Sequence, residues 1–134
     1  MVQGFLEKLC AELKISPVPK CEEGKVFHLH FAPETEIALL DLDPGVEMRA
    51  ELADCPKARR EELFIYVMRA NLLGQGTGNA RIGMDEKEKF LTLSVGLPYE
   101  MNYHGFREAF EEFVNHLVYW RDVLAKFEKN ETVY

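Results

Sequence analysis

The sequence predicts an α+β fold, a mainly antiparallel twisted sheet with helices packed on it, and three observations carry that expectation. Strand-like runs come in two groups, three in the first half of the chain and two in the second, and KVFHLHF, VEMRAEL and KFLTLSVGL among them alternate with period two. Turn chemistry joins neighbours within each group: Asp43-Pro44-Gly45 in the first, the polar tip DEKEK at 85–89 in the second. A C-terminal stretch repeats large apolar residues at spacings of four and three, the period of a helix packed along one stripe.

Each element follows in order. Phe5, Leu6, Leu9, Cys10 and Leu13 mark an amphipathic helix over 3–14, stopped by Pro17 and Pro19. KVFHLHF (25–31) alternates, Phe27, Leu29 and Phe31 on one face and Val26, His28 and His30 on the other. TEIALLDL (35–42) is the second strand, and Gly45 takes the positive φ of the turn after it. VEMRAEL (46–52) points Val46, Met48, Ala50 and Leu52 inward and Glu47, Arg49 and Glu51 to water. A second helix runs from about Lys57, after Pro56, to Leu73. Its centre, LFIYVM (63–68), is apolar all the way round, the pattern of a helix with one side on the sheet and the other on a second molecule, and equally of a fully interior helix. Residues 80–84 and 89–97 form a hairpin, with Leu91, Leu93, Val95 and Leu97 inward. Phe106, Phe110, Phe113, Leu117, Trp120, Leu124 and Phe127 make the stripe of the last helix. The order is α-β-β-β-α-β-β-α, read as a single domain over 1–134.

Composition narrows the function. A net charge of −7 over 134 residues argues against nucleic acid, whose phosphates need clustered Lys and Arg. Acids concentrate at Glu34, Glu36, Asp41, Asp43, Glu47, Glu51 and Asp54, with Arg49 the base among them. Cys10, Cys21 and Cys55 are odd in number and lack CxxC spacing, which suits a reducing compartment better than a disulfide framework or zinc site. The N-terminus MVQGFLEKLCAELK is no signal peptide, and no apolar run reaches a membrane span. The expectation is a cytoplasmic chain with no membrane partner.

Two stretches invite chemistry. In LLGQGTGNARIGMDE (72–86), Gly74, Gly76 and Gly78 suggest a phosphate cradle. Such loops precede a helix, whose N-terminus supplies free N–H groups; these glycines follow one, and no Gly-Lys-Ser/Thr comes after. A helix C-cap at Gly74 and a loose link account for them. In HLHFAPE, His28 and His30 share a strand face with Glu34 nearby, partly like the HxHx3E metal motif of cupins. The cupin glycine is misplaced and no second His motif follows, so two solvent-side histidines are the simpler reading. A small metal-dependent enzyme on His28, His30 and Glu34 stays as an alternative. His104 and His116 lie at the margin of the last helix's stripe, Ser16 and Ser94 sit in no GxSxG elbow, and no catalytic residues, metal or cofactor are expected.

The block from Ala80 to Leu124 resembles the Tir chaperone, or CesT-type, family of type III secretion chaperones. It has a short strand entering an acidic hairpin tip, a Leu-alternating strand ending in Leu97-Pro98, and a long helix closing with Tyr119-Trp120-Arg121. The N-terminal helix and three-strand meander agree in order. The resemblance implies an acidic, cytoplasmic bacterial homodimer without enzymatic activity. It would hold the N-terminal segment of a secreted virulence effector non-globular and present it to the secretion apparatus, with the apparatus ATPase as a further contact. It also implies positions: Leu63, Phe64, Val67, Met68 and Leu72 for the dimer interface, and Phe5, Leu9, Phe27, Phe31 and Leu40 for effector binding. A regulatory adaptor or heterodimeric chaperone subunit, binding a folded cytoplasmic partner, is the second alternative.

Overall fold

The computed structural model describes residues 2–31, 35–42, 45–73, 80–97 and 101–128. Its elements follow the expected order: α1 (Val2–Leu13), β1 (Val26–Phe31), β2 (Thr35–Asp41), β3 (Val46–Asp54), α2 (Arg60–Leu73), β4 (Arg81–Met84), β5 (Phe90–Leu97) and α3 (Tyr103–Glu128). The strands form one five-stranded sheet in the order β1-β2-β3-β5-β4, and β1/β2, β2/β3 and β4/β5 are antiparallel. By residue contacts the chain divides into two compact units, residues 1–50 with 96–112 and residues 51–95 with 113–134.

In the first unit, alternation sets the core. Phe27 and Leu29 of β1, Ile37 and Leu39 of β2, and Val46, Met48 and Ala50 of β3 are buried, as are Leu6, Leu9 and Cys10 of α1. The Phe5 ring stacks on Phe106 of α3 at 5.0 Å. α1 stops because Lys14 takes φ 58° and Ile15 N–H returns to the Cys10 carbonyl at 2.9 Å, a cap of the kind glycine usually makes. Gly45 holds φ 101° beside β3, while Asp43 and Pro44 of the expected turn lie outside the described residues. Asn102 caps α3: its Oδ1 accepts from Gly105 N–H at 2.8 Å.

In the second unit, Leu63 and Val67 of α2, Ile82 of β4, Leu91, Leu93 and Val95 of β5, and the α3 stripe from Phe113 to Phe127 are buried. Trp120 is 1% exposed, with the Tyr66 ring 5.8 Å away and edge-on. α2 starts at Arg60 rather than Lys57 because Arg59 sits at φ 59°, outside helical space, with its guanidinium on both Glu62 oxygens at 2.9 and 3.0 Å.

The hairpin tip is held by Asp85, whose Oδ1 accepts from Lys89 N–H at 2.7 Å and Phe90 N–H at 2.9 Å. The Phe90 contact, then that of Lys89, lowers its carboxyl below the usual 3.8. A carboxylate lowered on folding adds stability above its unfolded value and loses it as pH falls through the folded one. Asp85→Asn is therefore expected to be less stable than wild type at neutral pH, with the gap closing below about pH 4. Denaturant titrations of both proteins across that range check it; a gap independent of pH contradicts it.

Candidate functional site

Three features of the described surface are open to a partner. The first is the outer edge of β1, an edge strand of the sheet. Asp41 N–H donates to the Lys25 carbonyl at 3.0 Å, which fixes the parity of the β1/β2 ladder. In the register Val26↔Leu40, His28↔Ala38 and His30↔Glu36, these pairs then turn their backbone groups away from each other. On β1 those groups point to the free edge. The Val26 carbonyl is taken by Glu22 N–H at 2.8 Å, while His28 and His30 have no backbone partner there among the described residues.

The second feature is the outward side-chain face of β1 and β2, which carries Val26, His28 and His30 opposite Leu40, Ala38 and Glu36. His28 stands between two carboxylates. Its Nε2 lies 3.0 Å from Glu22 Oε2, and its Nδ1 lies 2.7 Å from Glu36 Oε1 at an angle that makes no hydrogen bond. His30 Nε2 is 3.8 Å from the same Glu36 oxygen. The face is half wet: Val26, His28, Ala38 and Leu40 are partly buried, and His30 and Glu36 are exposed. Glu34 of the motif at 28–34 lies outside the described residues, and among those described no group of three or more His, Cys, Asp or Glu is placed to hold a metal.

The third feature is in the second unit. α2 turns Leu63 and Val67 inward, 1% and 7% exposed, and turns Ile65, Met68 and Leu72 outward, 53%, 67% and 81% exposed. Residues at i, i+3 and i+7 form one stripe on a helix. With Arg69, Asn71 and Arg81 they line a shallow groove of about 600 Å³. Three large apolar side chains this exposed on one helix face are more than scattered surface residues. Among the described residues no helix is long and apolar enough to cross a membrane, so a bilayer-spanning helix does not account for them.

The sequence profile of the Tir chaperone protein (CesT) family matches residues 4–121. The chain belongs to that family. It is accordingly a secretion chaperone of the effector-binding kind and not an enzyme. No curated protein matches its sequence. Among solved structures, it is similar to a chain of the HopA1–SchA chaperone–effector complex at TM-score 0.69 and 12% identity, over 90% of this chain and 93% of that one. A chain of the ExsC–ExsE complex gives TM-score 0.71 at 14% identity, over 90% and 91%. The Yersinia pestis type III secretion chaperone SycH, in complex with a fragment of YscM2, gives 0.66 at 13%, over 88% and 98%. At these identities the structural likeness establishes the fold alone.

The positions implied for this CesT-family chain are not equally accessible. Of the five suggested for a dimer interface, Met68 and Leu72 are on the outer stripe, Phe64 is intermediate, and Leu63 and Val67 belong to the protomer's own core. Of the five suggested for effector binding, Leu40 and Phe5 are partly exposed, Leu9 and Phe27 are buried, and the side chain of Phe31 lies outside the described residues. Ile65 was not among those positions, although its spacing to Met68 and Leu72 is visible in the sequence once the inward side of α2 is known.

Proposed function

We propose that this CesT-family chain is a type III secretion chaperone that acts as a homodimer and keeps the N-terminal segment of a secreted effector extended and ready for export. The observation that carries the reading is the open edge of β1, where the backbone groups of His28 and His30 face outward and a segment in extended form has partners to pair with. A disordered segment has little structure to lose on binding and gains main-chain hydrogen bonds along such an edge. Leu40 and Val26 on the adjoining face give its side chains apolar contacts.

The homodimer reading is supported by the α2 stripe. Ile65, Met68 and Leu72 are more apolar and more exposed than a lone protomer tolerates easily, and a second copy supplies the same three residues in return. A net charge of −7 keeps such a carrier soluble while it bears apolar surface. Delivery then proceeds to the secretion apparatus, with its ATPase as the expected contact.

Affinity capture from the native cytoplasm, followed by native mass spectrometry, tests the stoichiometry. Two copies of the chain on one larger protein, held through a protease-sensitive N-terminal segment, are expected. A captured partner that stays compact and protease-resistant throughout argues instead for an adaptor on a folded protein.

A further inference from the structure

We infer that Asn71 closes the β4 edge of the sheet to strand addition. β4 is the strand at the opposite end of the sheet order from β1. In its ladder with β5, Asp85 N–H donates to the Phe90 carbonyl at 3.1 Å, so the pairs Gly83↔Thr92 and Arg81↔Ser94 are the hydrogen-bonded ones. Ile82, paired with Leu93, therefore turns both its N–H and its C=O away from β5, toward the free edge. Those are the groups a further strand would use.

Asn71, in the last turn of α2, occupies both. Its Nδ2 donates to the Ile82 carbonyl at 2.8 Å, and its Oδ1 accepts from Ile82 N–H at 2.8 Å. A side-chain carboxamide has the donor and acceptor of a peptide group, so this two-point contact reproduces what one residue of an added strand would offer. Both backbone partners fix which end of the amide is which. Ala80, next outward in the same alternation, has its carbonyl taken by Arg81 Nη1 at 2.7 Å. Met84 is left as the one residue of β4 whose outward groups have no partner among the described residues.

An uncovered edge strand is a template for pairing with other chains, and proteins blunt such edges by covering them. Here the cover is one side chain from the neighbouring helix. The contrast with β1 is chemical: at one end of the sheet order His28 and His30 offer unpaired groups, and at the other Ile82 offers none. The closure holds whether or not the chain carries an effector. On the chaperone reading, which this consequence alone rests on, it leaves an extended segment a single edge to join.

The test compares wild type with Asn71→Ala by residue-resolved amide hydrogen exchange and by sedimentation velocity over a range of concentrations. Exchange at Ile82 is expected to rise by about tenfold or more, while Arg81 and Gly83, whose amides face β5, keep their protection. Sedimentation is expected to reveal species larger than the wild-type assembly that grow with concentration. Adding Met84→Pro, which removes the remaining outward N–H at a position where an edge strand tolerates proline, should return the wild-type size. A folded Asn71→Ala protein that sediments as wild type at every concentration overturns the inference. So does one that only becomes smaller, which would make Asn71 a contact of the α2 face instead. Should the alanine variant fail to fold, Asn71→Asp keeps the volume and the acceptor but loses the donor, and larger or unchanged species decide the matter in the same way.

Discussion

The Met68→Asp variant is expected to keep its fold and to sediment as a monomer. Met68 is 67% exposed in the protomer, so a carboxylate there stays hydrated and costs the single chain little. In the proposed homodimer the same carboxylate would be pressed between two apolar α2 faces, losing water without gaining a partner. We expect the dissociation constant to rise by about 100-fold or more. Val67→Asp makes the comparison sharp. Val67 is one position away but 7% exposed, on the inward side of α2. A charge there falls in the protomer's own core and should cost about 3–5 kcal/mol, unfolding the chain rather than dividing a dimer. Circular dichroism and sedimentation on the two variants separate the outcomes. If Met68→Asp retains the wild-type mass, the α2 stripe is not where two copies meet.

The largest loss of stability is expected from Trp120→Ala. Trp120 is fully enclosed, with the Tyr66 ring edge-on at 5.8 Å and the Tyr119 ring edge-on at 5.6 Å. Truncation removes the transfer energy of the indole and leaves a cavity between α2 and α3 that rigid neighbours fill only in part, about 3–5 kcal/mol in all. Because Tyr66 lies on α2, the variant should also loosen the helix that carries the exposed stripe. Urea unfolding measures the loss; a midpoint shift equivalent to under about 1 kcal/mol would mean the site collapses around the deletion.

The parts of this architecture that are legible in the sequence are those where a period and a burial pattern coincide. Val46, Met48, Ala50 and Leu52 alternate because β3 has one buried side, and the seven residues from Phe106 to Phe127 recur because α3 packs along one stripe. Helix ends are less legible. α1 stops at Lys14 and α2 is delayed to Arg60 by positive φ at lysine and arginine, residue types that give no local signal for that conformation. The surface of α2 is illegible for a different reason. LFIYVM is apolar on every side, so the sequence announces that two surfaces are covered without saying which residues belong to which. Only the packing of Leu63 and Val67 inward leaves Ile65, Met68 and Leu72 outward. Leu9 and Phe27 illustrate the same limit, since apolar periodicity marks the core before it marks a contact with a partner. Asn71 could not be found at all from sequence, because its role depends on where α2 sets it against β4.

In the proposed complex an extended segment of the secreted partner joins the edge of β1. Residue-resolved amide hydrogen exchange, run on the free chain and on the complex captured from cells that make both proteins, tests this pairing. In the free chain the amides of His28 and His30 should exchange rapidly, while those of Phe27 and Leu29, which face β2, are protected. In the complex His28 and His30 should slow by about tenfold or more, together with a short run of amides in the partner's N-terminal segment. If those two amides exchange as fast in the complex as in the free chain, the partner is held elsewhere and the edge-addition account is wrong.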